Sequence, residues 1–185
     1  MTPFGWFKRH NNSGPSDAVR LWRAAWARAL EGPDAGDEPL RQSLRHLAEN
    51  EPDVELEAEM LDALDALRAA QRQVANGGLP VVETHHRVIG ADRCHFSAPA
   101  SLPADQAQPA GRVLLAGSRA VFVGAGRTAA TPWHNVRQIV RSERDVLFVR
   151  GDGTAAAQYR FNTYGDAIVC AFLARELGSV KGKSL

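Results

Sequence analysis

Gly111-Arg112-Val113-Leu114-Leu115-Ala116-Gly117-Ser118-Arg119-Ala120-Val121-Phe122-Val123 is the stretch on which the reading of the fold turns. Two short β-prone runs, Gly111–Leu115 and Arg119–Val123, flank Ala116-Gly117-Ser118, and small residues between two such runs predict a tight hairpin. Ahead of it, Arg93-Cys94-His95-Phe96 reads as a first strand, followed by a Pro- and Ala-rich loop from Pro99 to Pro109. Behind it come Thr128–Trp133, Val136–Arg141 and Val146–Arg150, after which Gly151-Asp152-Gly153 turns the chain into Gln158–Phe161. Short strands separated at regular intervals by glycine and proline predict an antiparallel barrel or sandwich. From Gly165 to Leu177 the period becomes helical, with Ile168, Val169, Phe172, Leu173 and Leu177 on one side. A helix so apolar on one side must cover something, and the open end of a small barrel is its natural partner.

Upstream of Leu79 the texture is helical. Ser16 or Asp17 can cap a helix to about Leu30, whose Val19, Trp22, Trp26 and Leu30 form a stripe, and Gly32-Pro33 stops it. Asp37 caps a second helix, with Pro39 in its first turn and Leu40, Leu44 and Leu47 along one face. A third runs from about Val54 to Val74, acidic at its start (Glu55, Glu57, Glu59), basic later (Arg68, Arg72), and ended by Asn76-Gly77-Gly78. The expected organisation is α+β: a flexible tail over 1–15, a region of about three helices over 16–78, a β-rich domain closed by a C-terminal helix over 79–178, and a flexible tail over 179–185.

Composition narrows the function. A chain of 185 residues, 23% charged and 44% hydrophobic, has the make-up of a soluble globular protein. No apolar run approaches the roughly 18 residues that span a bilayer, and Lys8 and Arg9 interrupt the first apolar residues before a secretory signal could form. Two distant cysteines, Cys94 and Cys170, fit a reducing, cytoplasmic setting better than a disulfide framework. Arginine outnumbers lysine 19 to 3, beside abundant alanine, as in a GC-rich, bacterial coding sequence. Residues 1–78 carry 9 Lys+Arg against 13 Asp+Glu, and residues 79–185 carry 13 against 8, so the second half has a mild preference for anionic partners. Neither half has the dense basic stripe of a nucleic-acid binder, and no nucleic acid is expected.

The order of strands and helix resembles the pleckstrin-homology-like superfold, most closely its GRAM and bacterial PH-like branches, over Ala91 to Leu177. Gly111–Leu115 matches a glycine-started strand, and Ser118-Arg119-Ala120-Val121-Phe122 matches a small hydroxyl residue, then Arg and an apolar strand. Thr131-Pro132-Trp133, Val136-Arg137-Gln138-Ile139 and Tyr159-Arg160-Phe161 continue the likeness. The resemblance implies a scaffold for lipid headgroups or protein ligands, without catalysis. Phosphoinositide-binding members place Lys and Arg around the first hairpin loop; here Ala98 to Ala110 holds no basic residue and one acid, Asp105. The fold by itself does not specify a ligand.

Chemical constellations are sparse. His85, His86, Cys94 and His95 gather metal-ligand residue types, but adjacent strand residues face apart and no CxxC or HExxH is present. Cys170 sits between Val169 and Ala171 in the closing helix, where burial would make it inert. Gly124-Ala125-Gly126 lacks a third glycine and a following helix, and reads as a turn. Arg119, Trp133, Arg137 and Arg141 form a candidate interaction surface, beside Arg144 and Arg150. Phe4, Trp6, Phe7, Lys8 and Arg9 form a candidate peripheral membrane contact, aromatics down and cations at the headgroups. The expectation is therefore a binding or adaptor protein engaging a protein partner or an anionic membrane surface, with no cofactor, no metal and no catalytic residue. Two alternatives stand beside it: a metalloprotein or enzyme built on His85, His86, Cys94 and His95, and an oligomerisation role for the helical region.

Overall fold

The computed structural model describes residues 14–32, 37–51, 53–84 and 86–181, the side chains of 180 and 181 excepted. The chain divides into two compact units, Met1–Val54 and Glu55–Leu185.

The first unit is a helical hairpin of α1 (Asp17–Glu31) and α2 (Asp37–Asn50). Ser16 caps α1 by accepting from the Val19 N–H at 3.2 Å, while its hydroxyl donates to Glu51 at 2.5 Å. Of the stripes read from the sequence, Val19, Trp22 and Trp26 on α1 and Leu40, Leu44 and Leu47 on α2 are buried, and Leu30 is half-buried. The Trp22 indole N–H donates to the Leu40 carbonyl at 3.1 Å, so its polar atom is satisfied where the ring is buried.

The second unit opens with α3 (Glu55–Gly77), which stops where Gly78 takes a left-handed φ of +77° and its N–H reaches back to the Val74 carbonyl at 3.1 Å. Seven antiparallel strands follow: β1 (Cys94–Ser101), β2 (Ala110–Ala116), β3 (Arg119–Gly124), β4 (Arg127–Pro132), β5 (Gln138–Ser142), β6 (Asp145–Val149) and β7 (Ala155–Phe161). They are followed by α4 (Tyr164–Lys181). The 111–123 stretch forms the β2–β3 hairpin with Leu115 opposite Ala120, Leu114 opposite Val121 and Val113 opposite Phe122. Val113, Leu115, Ala120 and Phe122 enter the main core. Leu114 and Val121 face the other way, where Val82, Val88, Ile89 and Cys94 cover them. That double burial explains why β2 reads as a continuous apolar run and not as an alternation.

The main core is aromatic at its centre. Tyr159 stacks on Phe122 with centroids 6.4 Å apart and meets Phe148 edge-on at 5.4 Å, and Phe148 lies 5.7 Å from Trp133. Ala167, Cys170, Ala171, Leu173, Ala174 and Leu177 of α4 fill the remaining side. The other flank of α4 receives α3, with Gly165 set against Ala63 and Ala66 of α3.

The expected closed barrel is not formed. The sheet runs β4-β3-β2-β1-β7-β6-β5, with β4 and β5 as two edges that do not bond to each other. The halves are joined through only Ala100–Phe161 and Ser101–Arg160 on β1 and β7. Between the edges the chain leaves β4 at Pro132, which has no N–H to give, and makes a 3-10 turn over Trp133–Asn135. The Trp133 ring is pulled into the core, so side-chain packing and α4 span the gap that backbone pairing would otherwise close.

Candidate binding cleft

The gap between β4 and β5 is the place where apolar surface, open backbone edge and positive charge meet. Trp133 fixes its floor: its N–H donates to the Ser118 carbonyl at 3.2 Å and its indole N–H to the Ala116 carbonyl at 2.8 Å. The Val136 N–H then closes the turn on the Trp133 carbonyl at 3.0 Å, and the Arg137 N–H joins the Val149 carbonyl at 2.7 Å, which starts β5 against β6. A cleft of about 240 Å³ lies over this segment, walled by Val136, Arg137 and Ile139 on one side and Ala174 and Arg175 of α4 on the other. It continues into a hollow of about 330 Å³ along His134, Asn135 and Gly151, sharing Trp133, Val136, Arg137 and Gly178.

The described lining holds two arginines and no carboxylate. Arg175 donates to the Ile139 carbonyl at 3.1 Å, a charged cover over an edge-strand acceptor. The exposed Arg137 guanidinium has no hydrogen-bond or ion-pair partner among the described residues. Arg141, next along β5, donates to the Glu143 carbonyl at 2.9 Å. Burial holds its pKa below the ordinary value; the Tyr164 phenol opposes that and the Arg175 charge adds to it.

Of the four residues singled out from the sequence, Trp133 and Arg137 line the cleft and Arg141 shares its strand. Arg119 is not among the lining residues. Its guanidinium donates to the Val88 carbonyl at 2.9 Å and helps hold residues 79–93 against the hairpin. Asp92 completes that clamp, accepting from the Ser118 N–H at 2.9 Å and hydroxyl at 2.7 Å. Burial works to raise the Asp92 carboxyl, but the Ser118 and Arg93 hydrogen bonds and the Arg119 charge outweigh it and hold the pKa low. Arg175 and Asp92 were not foreseen, since each finds its partners through the fold and not through a local motif.

Phe4, Trp6, Phe7, Lys8 and Arg9 lie outside the described residues, as does His85. Among the described residues no three His, Cys, Asp or Glu side chains are grouped as metal ligands. His95 spends its Nδ1 on the Pro80 carbonyl at 2.7 Å, whereas Cys94 points its thiol at the Phe96 carbonyl at 3.1 Å, its pKa raised by burial. The two do not converge, which disfavours the metal alternative. Cys170 is fully buried, and burial pushes its thiol far up, away from nucleophilic use. Gly124 and Gly126 bound the β3–β4 turn, with Gly126 at φ +70°. In the β1–β2 loop, Asp105 pairs with Arg127 of β4, so this cation beside the loop already meets a carboxylate. No helix among the described residues is long and apolar enough to cross a membrane.

No family model matches the chain. No curated protein matches it either. Among solved structures it is similar to the N-terminal PH domain of Vps36, at 13% identity and a TM-score of 0.43, over 50% of this chain and 84% of that one. It is also similar to the C-terminal domain of an unknown protein from Leishmania infantum, at 10% identity and a TM-score of 0.42, over 49% of this chain and 88% of that one. A third likeness, to an activated truncation of Vav1, has 10% identity and a TM-score of 0.42 and covers 88% of this chain, which spans 45% of that one.

Proposed function

We propose that this chain is a non-catalytic adaptor whose second unit, a PH-like module, holds a protein partner by an acidic, extended segment laid in the β5–α4 cleft. The observation that carries the reading is Arg137: a guanidinium without a partner among the described residues, set beside Trp133, Val136 and Ile139 at an unpaired strand edge. A carboxylate there would gain a charge-assisted hydrogen bond, and an aliphatic neighbour would cover the apolar floor. The strand order followed by a single packed helix supports the PH-like assignment. The neutralised Asp105–Arg127 loop favours the cleft over that loop as the site for an anion.

The test is an NMR titration with short extended peptides carrying one glutamate beside one leucine, set against vesicles containing anionic lipid. Peptide-induced shifts confined to residues 133–139 and 174–179, and abolished by Arg137→Glu, are expected. Shifts elsewhere, none at millimolar peptide, or binding to the vesicles alone would overturn the reading.

A further inference from the structure

The open edge of β5 is covered at one point by a side chain standing where a neighbouring strand's backbone would be. Ser142 and Asp145 flank a two-residue turn and so form a bonded pair, and bonded pairs alternate along antiparallel strands. Counting back from that turn, Val140 bonds to Leu147 of β6, whereas Ile139 directs its N–H and C=O to the open side. There the Ile139 carbonyl is met by the Arg175 guanidinium of α4 at 3.1 Å. Arg175 is exposed and, like Arg137, has no ion-pair partner among the described residues. Arg137 and Ile139 are two residues apart and both wall the cleft against α4. The two cations therefore stand at levels about 6–7 Å apart along the edge. Arg175 also adds its charge to the burial that lowers the Arg141 pKa, against the Tyr164 phenol, so positive charge is in excess along this side.

We infer that Arg175 keeps this place for a partner's backbone, and that the cleft selects an extended segment with two acidic residues two apart. The inference rests on the reading of the cleft given above and specifies the sequence that the cleft recognises. A segment paired to β5 brings a backbone N–H to the Ile139 carbonyl. That N–H replaces the Arg175 guanidinium, which is then available to a carboxylate. In an extended chain residues i and i+2 lie on one side about 6–7 Å apart, the same step that separates the levels of Arg137 and Arg175. One carboxylate meets Arg137 and the other Arg175, each in a charge-assisted hydrogen bond. Adjacent acidic residues point to opposite sides of the segment, and only one of them reaches the cleft. Arg175 is thus a specificity-determining residue: it covers the edge when the cleft is empty and reads the second acid when it is filled.

The test uses four peptides that share one leucine and differ only in carrying Glu-Ala-Glu, Glu-Ala-Gln, Gln-Ala-Glu or Glu-Glu-Ala. Each is titrated by NMR against the full chain and against its Arg137→Gln and Arg175→Gln variants, whose amide spectra away from the cleft report that the fold is intact. The full chain is expected to bind Glu-Ala-Glu roughly three- to fivefold tighter than each of the other three. Arg175→Gln keeps a neutral donor for the Ile139 carbonyl. In that variant one of the two Glu-to-Gln losses should vanish and the other persist, and in Arg137→Gln the two should exchange. Persistence of both losses in Arg175→Gln overturns the inference. So does equal binding of Glu-Ala-Glu and Glu-Glu-Ala, the mark of charge attraction without register. In either case, shifts at residues 133–139 with the single-glutamate peptides leave the reading of the cleft standing. No binding by any of the four peptides, or shifts only outside the cleft, overturns that reading and the inference with it.

Discussion

Glu59 of α3 accepts the backbone N–H of Tyr164 at 2.9 Å, across 105 residues of sequence, and its other oxygen binds Arg144. One carboxylate thus caps the first turn of α4, fixes α3 along it and neutralises a guanidinium that lies over the Tyr164 ring at 5.2 Å. Replacing Glu59 by alanine should cost about 2–3 kcal/mol, since it removes a cap and leaves a half-buried arginine without its counter-charge. Glu59→Gln can still accept from Tyr164 and should cost about half as much. Urea unfolding followed through the amide signals of α4 reads both values.

Trp133 should tolerate phenylalanine poorly. The smaller ring leaves the Ala116 carbonyl without its indole donor, a loss of about 2 kcal/mol, and alanine should cost about 3–5 kcal/mol. Unfolding followed by the amide signals of β6 measures the loss. Arg137→Glu, by contrast, should leave stability within about 0.5 kcal/mol, because an exposed guanidinium away from any bonded network contributes little to folding.

Gly111→Ala should disrupt the hairpin. A Cβ there would stand 2.3 Å from the Val123 carbonyl and 2.7 Å from the Phe122 ring, which seals the core beneath it. Backbone and ring cannot both yield, and a loss of about 2 kcal/mol or more is expected from calorimetry.

Stability should fall at both ends of the pH scale for different reasons. The Arg160 hydrogen bond and charge hold Asp145 low, and Asp92 is held low at its clamp. Depressed carboxyls contribute stability that is present above the unfolded value, roughly pH 4, and is lost as pH falls through the folded values. At the alkaline end burial pushes Tyr159 up to about 12 from its ordinary 10.0, against a Thr131 hydrogen bond, and raises both thiols. Those groups contribute stability below their unfolded values that is lost as pH rises toward the folded ones. Urea midpoints from pH 2 to 11 should trace both limbs. Asp145→Asn should flatten the acid limb, and Tyr159→Phe should flatten part of the alkaline one.

The sheet was legible where side chains alternate or cluster. The hairpin at 111–123 carries β-prone residues on both sides of a small-residue turn, and the closing helix shows its stripe. Strand ends were less legible. β1 continues past Phe96 through Ala98, Pro99 and Ala100, and β7 begins at Ala155; alanine has little β-preference, so tertiary pairing decides. Closure is not legible, because alternation reports which face is buried and not whether the outermost strands bond. In the cleft, Trp133 and Arg137 stood out by residue type. Arg175 looked like any exposed helical arginine until β5 was placed beside it.

The seam between β4 and β5 bears on the order in which the fold can be completed. The aromatic core is lined on one side by α4, the last element in chain order, and α3 has its packing partner there too. A ribosome releases α3 and both sheet halves before the residues that bury their apolar faces have been made. The two-residue link between the halves cannot hold them in the interim. The core of the unit is therefore complete only once α4 has joined it and Glu59 meets Tyr164.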